Sequence, residues 1–164
     1  MTSNVRAVTV VLIGAVAVVS GTVRAEQLPK SGSIEFHTGW KITTDTVSAA
    51  ENYVLGRGNV TGVTFNNKGA GPLHLGPANC FDSFLIKDGI GREHGFCAFG
   101  DPDGDRLFTQ FTGSFGPDGA SGTNEIIGGT GKYNGASGSG PWKCKVMGSN
   151  GEVQCAQRLD YKLP

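Results

Sequence analysis

Residues 80–99 read CFDSFLIKDGIGREHGFCAF: two apolar, aromatic-bearing runs, 80–87 and 90–99, joined by Asp88-Gly89. Asp-Gly is a strong signal for a two-residue hairpin, because both central positions of that turn favour positive φ. In this register residues whose numbers sum to 177 face each other, so Cys80 stands opposite Cys97. Pairs alternate outward from the hydrogen-bonded 87/90 pair, which makes 80/97 a non-hydrogen-bonded pair. That type brings side chains closest and suits the Cβ separation of a disulfide. Cys144 and Cys155 repeat the geometry about Gly148-Ser149-Asn150-Gly151, with Val146 facing Val153 on the cysteines' side. Asn150-Gly151 leaves a second register open there. The expected bridges are Cys80–Cys97 and Cys144–Cys155. A zinc site would want CxxC-like or His-paired spacing, which is absent.

Strand signals continue on both sides of this hairpin. Residues 33–42 alternate, with Ile34, Phe36, Trp40 and Ile42 on one face and Glu35, His37 and Lys41 on the other. Residues 52–65 are strand-like, with Gly56, Gly58 and Gly62 marking a bend or bulge. Residues 66–78 read as a Gly/Pro loop. Residues 106–115 alternate again, with Leu107, Thr109, Phe111 and Phe115 on one face. Beyond the turn at 116–119 come strands at 123–127, 136–146 and 152–163. Only 46–52 is compatible with a helix. Eight short strands with Gly/Pro turns indicate an all-β antiparallel sandwich or barrel, and glycines inside the strands favour an eight-stranded barrel stapled by disulfides.

Composition narrows the class. The chain has 164 residues, enough for one domain, with 14 basic and 14 acidic side chains. Scattered basic residues and no net charge argue against a nucleic-acid or anionic-membrane surface. Glycine accounts for 27 residues, roughly twice the usual share. No Gly-X-Y period accompanies it, so collagen is excluded. Residues 1–25 have the three-part layout of a secretory signal peptide: Arg6, the apolar run AVTVVLIGAVAVV at 7–19, and Val23-Arg24-Ala25 before the expected cleavage site. An uncleaved anchor is the alternative, although the run is shorter than the roughly 20 residues a spanning helix needs. The expected mature domain, 26–164, carries 12 basic and 14 acidic groups and is secreted or periplasmic. Four cysteines fit that oxidising setting.

Ile127-Gly128-Gly129-Thr130-Gly131-Lys132-Tyr133, followed by Gly135, Ala136 and Gly138, resembles the GGTGxF/Y…G signature of the allene oxide cyclase and dirigent barrels. The resemblance covers about a dozen residues and implies an eight-stranded antiparallel barrel with the motif on a turn between consecutive strands. It further implies either the capture of phenoxy radicals, as in dirigent proteins, or the cyclisation of a fatty-acid epoxide, as in allene oxide cyclases. No catalytic residue of those families aligns outside the glycine motif, so none is carried over. The paired cysteines and the DPDGD segment at 101–105 depart from the plant enzymes. Read from the residues alone, glycines 128, 129, 131 and 135 permit tight turns. A nucleotide loop would need a following helix or a Gly-Lys-Ser/Thr sequence, and neither is present.

Asp101, Asp103 and Asp105 place three carboxylates at alternate positions, the donor set of a hard cation such as calcium. Arg106 stands where an EF-hand has its glycine and Thr112 where it has its glutamate, so a solvated Asp-Pro/Asp-Gly turn is the competing reading. His37, His74 and His94 lie on separate elements without metal-ligand or triad spacing, and Arg92, Glu93 and His94 read as a polar sheet surface. Asn59-Val60-Thr61 is a glycosylation sequon. Phe36, Trp40, Phe111, Phe115 and Trp142 are the candidate aromatics of a cavity, since an eight-stranded barrel either fills with side chains or holds one small ligand.

Three functions follow from these features: a barrel binding a hydrophobic or aromatic small molecule or a protein partner without chemistry, a cyclase- or isomerase-type enzyme, or a closed interaction barrel. A titratable group inside the cavity favours the second, a wholly apolar cavity the first, and a filled barrel the third. No cofactor is implied beyond the calcium reading. Thiol titration of the native, non-reduced protein is expected to find no reactive thiol; two or more would sink the disulfide assignment.

Overall fold

Alternation of apolar and polar side chains obliges each segment to extend with one face toward a core, and eight such segments pair in chain order. The computed structural model describes residues 27–164; the expected leader at 1–25 lies outside them. The strands are β1 (Ser31–Ala50), β2 (Tyr53–Asn66), β3 (Gly76–Lys87), β4 (Ile90–Gly100), β5 (Arg106–Gly116), β6 (Gly119–Gly129), β7 (Ser137–Val146) and β8 (Glu152–Lys162). Each is antiparallel to the next, and β8 pairs with β1 from Ser31↔Lys162 to Lys41↔Glu152, closing the barrel. Closure pairs each strand on both sides along the body of the barrel, while β1 beyond Ile42 pairs with β2 alone. Among the described residues no helix is long and apolar enough to cross a membrane.

The Asp88-Gly89 turn has φ values of 50° and 81°, and Cys80 faces Cys97 in the ladder. Both expected disulfides form, Cys80–Cys97 with its Cα atoms 4.1 Å apart and Cys144–Cys155 with 4.0 Å. Val146 pairs with Val153. Residues 46–52, compatible with a helix in the sequence, extend β1 instead: Val47 pairs with Leu55 and Ser48 with Val54, and the chain reverses through Asn52 at φ 62°. So short a helix would carry the full nucleation cost and leave the end of β2 unpaired. One helical turn does form, a 3-10 turn at Gly131–Tyr133 inside the glycine motif.

Interior glycines shape the wall. Inward rows run from strand to strand as Thr44–Gly58–Asp82–Gly95–Phe111–Asn124 and Thr46–Gly56–Phe84–Glu93–Gly113–Gly122–Trp142–Gln157. A Cβ on Gly56 would enter the ring of Phe84, on Gly91 that of Phe115, on Gly95 that of Phe111, and on Gly113 or Gly122 that of Trp142. Each ring lies over a neighbouring strand where a side chain has been omitted, which is how an interior this rich in aromatics packs without clashes.

The two barrel ends differ. At one, Ile34, Phe36, Phe99, Leu107 and Leu159 fill the interior, with Phe36 edge-on to Phe99 at 5.3 Å. Leu73, from the 67–75 loop, and Tyr133, from the 3-10 turn, are buried there as plugs. At the hairpin-turn end the barrel stays open. Gly95→Ala is expected to destabilise the fold by about 1–3 kcal/mol, because its Cβ meets the Phe81 carbonyl oxygen and the Phe111 ring. Gly39→Ala, with open space around its Cβ, is expected to stay within about 0.5 kcal/mol. Urea denaturation of the two variants makes the comparison.

Candidate functional site

The open end holds a cavity of about 390 Å³, in the range of small-molecule sites. Trp40, Ile42, Val60, Phe84, Ile86, Phe111, Phe115, Trp142 and both disulfides supply apolar wall. Phe84 and Phe115 meet edge-to-face at 5.5 Å, and Phe111 and Trp142 at 6.0 Å. Of the five aromatics singled out in the sequence, Trp40, Phe111, Phe115 and Trp142 line this space, while Phe36 packs in the filled end. Phe84 joins the lining.

Buried amides form the floor. Thr109 donates to Asn124 Oδ1 at 3.2 Å, Asn124 Nδ2 to Gln157 Oε1 at 3.0 Å, and Gln157 Nε2 to Thr38 Oγ1 at 2.8 Å. Asn124 on β6 reaches Gln157 on β8 across Gly140 of β7, which has no side chain to intervene. The chain of bonds joins four strands and satisfies groups that would be costly to bury alone.

Two carboxyl groups project into the aromatic wall. Asp82 and Glu93 are diagonal neighbours on β3 and β4, among Phe84, Phe111 and Phe115. Burial raises the pKa of both. Glu93 is pushed up to about 7, with the charge of Asp82 adding to the effect of burial. Asp82 Oδ1 is buried against Gly58, where a Cβ would collide with it, and it has no hydrogen-bond donor; Trp142 Nε1 is likewise buried and unpartnered. The third titratable residue of the lining, Lys145, sits at the exposed rim on β7, across the barrel from β3. Two like-signed carboxyl groups in an apolar wall hold a shared proton near neutral pH. Such a pair can bind a cationic or hydrogen-donating group, or move a proton on a bound molecule.

Sequence reading placed Glu93 with Arg92 and His94 on a polar surface and did not single out Asp82. Strand parity carries the signal: Cys80 and Cys97 face inward, so Asp82 and Glu93, two and four residues away, face inward as well. The histidines lie elsewhere. His37 stacks on Phe65 and bonds Asn67 on the outer face, His94 packs on Phe96 outside, and His74 belongs to the 67–75 loop. Asn59 is exposed on the outer face of β2.

The glycine motif and the DPDGD segment meet at the filled end. Asp101 Oδ1 accepts the Leu73 N–H at 2.5 Å, and its Oδ2 accepts the Tyr133 hydroxyl at 2.6 Å and Lys132 Nζ at 2.9 Å. Lys132 Nζ also reaches Asp103 at 2.6 Å, and Asp105 accepts the Lys132 N–H at 3.0 Å. Gly131, at φ 52°, stands where a Cβ would strike the Asp105 carboxylate. Gly128, Gly129, Thr130 and Gly135 carry the chain from β6 through the 3-10 turn toward β7, and Thr130 Oγ1 accepts the Arg106 N–H at 2.9 Å. Burial opposes the charge of Lys132, but hydrogen bonds and attraction from Asp103 and Asp101 outweigh it and raise its pKa. Its hydrogen bond to Asp103 lowers that carboxyl's pKa, while burial and then Asp101 raise the Tyr133 hydroxyl's well above the usual range. Lys132 Nζ thus pairs with two of the three aspartates, Asp101 and Asp103, and among the described residues no group of three or more His, Cys, Asp or Glu is placed to hold a metal ion.

No family model matches this chain, and no curated protein matches it. Its fold and site define a closed antiparallel barrel with one plugged end and one open, aromatic-lined, acid-bearing end.

Two outcomes test these assignments. Lys132→Met is expected to cost about 3–5 kcal/mol, since it leaves Asp101 buried and uncompensated, and removing calcium with a chelator should leave Tm unchanged; a fall in Tm would restore the metal reading. The folded state binds more protons than the unfolded one between the ordinary glutamate value of 4.5 and about 7. Stability contributed by neutral Glu93 is therefore lost as pH rises through that window, and Glu93→Gln should flatten the decline in denaturation curves.

Proposed function

We propose that this chain binds a hydrophobic or aromatic small molecule in the open end of its barrel, in a secreted or periplasmic setting. The observation that carries the reading is the aromatic-lined cavity, because a barrel serving only as a packed module would fill both ends as it fills one. Two disulfides suit an oxidising compartment. Membership of the allene oxide cyclase and dirigent-like barrels is part of the proposal. Its supports are the closed eight-stranded order and the position of the GGTGKY turn between β6 and β7.

A second reading, an isomerase- or cyclase-type enzyme, is favoured by one observation: Asp82 and Glu93 bring a transferable proton into the cavity. A group whose pKa lies near the working pH is suited to general acid–base work. Native mass spectrometry of protein purified from its export compartment is expected to show a small molecule retained by the barrel. The retained species should be lost when Ala120→Trp fills the mouth. A bare mass, together with no saturable uptake of apolar fluorophores, would favour a closed interaction barrel instead.

A further inference from the structure

We propose that the cavity selects an organic ammonium: an apolar or aromatic body bearing one positive charge, with the charge seated between Asp82 and Glu93 and the body against Phe84, Phe111, Phe115 and Trp142. This inference rests on the small-molecule reading above and names the chemistry of its ligand.

Three features of the wall carry it. First, among the described residues neither carboxyl group has a cationic partner. The other carboxylates of the described structure that face a cation do so elsewhere: Glu152 on Lys41, Asp45 on Arg57, Asp160 on Arg158, and Asp101 and Asp103 on Lys132. Asp82 and Glu93 point into the cavity with only each other as polar side-chain partner, and Asp82 Oδ1 is buried without a hydrogen-bond partner. Retaining two partly buried acids in this state is costly, and a donor-rich cation entering the cavity relieves the cost.

Second, the acids are framed by aromatic rings. Phe84 is the direct cross-strand neighbour of Glu93. Phe115 and Phe111 cover the glycines two residues to either side of Glu93, and Trp142 crosses Gly122 to reach Gly113, its partner on β5. Ring faces attract a desolvated cation, so carboxyl groups and rings select for the same charge. A neutral ligand would use the rings alone, and an anion would be repelled by the acids.

Third, the surrounding strands bring no competing charge. β2 presents Gly56 and Gly58 to the pair, and β5 presents Phe111, Gly113 and Phe115. Lys145 is the one cation of the lining, and it lies at the rim four strands away. The shared proton then acts as a gate: binding the ammonium drives it off, so affinity rises with pH through the range where Glu93 titrates.

Calorimetric titration of the disulfide-intact protein with three probes on one naphthalene body tests the assignment: 1-naphthylmethylamine, 1-naphthylmethanol and 1-naphthoic acid. At about pH 8 the amine should bind at least about tenfold more tightly than the alcohol, and the acid should bind least. Lowering the pH to about 5.5, where Glu93 holds its proton, should shrink that preference while leaving the alcohol's affinity in place. The double variant Asp82→Asn/Glu93→Gln should do the same at the higher pH, and the wild-type pH comparison stands if the variant does not fold. An alcohol that matches or exceeds the amine would overturn the ammonium assignment and leave the small-molecule reading intact, as would a preference for the acid. No saturable binding of any probe would overturn both.

Discussion

A ring over a glycine is the interaction on which the interior of this barrel depends. Eight strands enclose too little space for an ordinary complement of large side chains from every wall. The sequence resolves this by leaving glycine beside most of the interior aromatics, so that each ring lies along the wall instead of standing across the lumen. Where rings lie flat, the centre stays open. In the filled end, Phe36, Phe99, Leu107 and Leu159 lack such glycine beds and converge. The same residue pattern thus sets both the packing and the void.

That arrangement also explains the position of the acids. Asp82 extends over Gly58 much as Phe111 extends over Gly95, and Glu93 lies between Phe84 and Gly113 in its row. Their environment is therefore made by rings and backbone, with no cation supplied by the described residues. The contrast with the filled end is instructive. There Asp101 is more fully removed from water than either, but Leu73, Tyr133 and Lys132 provide three donors, and the carboxylate serves as a latch that holds the 67–75 loop and the glycine motif over the barrel. Asp101 is satisfied and structural, whereas Asp82 and Glu93 have no cationic partner among the described residues.

The glycine motif and the aspartate segment also exchange their apparent roles. In the sequence each invites a ligand, a phosphate or a calcium ion. In the fold each is the other's partner, since Lys132 enters the aspartates as their cation and Gly131 makes room for Asp105. In this barrel the glycine motif builds a plug at the end opposite the cavity.

The sequence by itself determined most of the strands and the Cys80–Cys97 pair, and favoured the barrel and the Cys144–Cys155 pair that the fold contains. Alternation and Asp-Gly turn chemistry act between neighbouring residues, and antiparallel register follows once one turn is placed. It also contained, unread, the inward parity of Asp82 and Glu93, which follows from the cysteines two and four residues away. Only the tertiary structure decided which aromatics line a void and which fill a core. That depends on the glycines of adjacent strands, as Phe36 beside Phe99 and Trp142 over Gly113 and Gly122 make plain. It alone decided that residues 46–52 remain extended, since the ladder they complete belongs to β2. And it alone joined the aspartates to Lys132, because their distance apart in the chain says nothing about which loops a closed barrel gathers at one end.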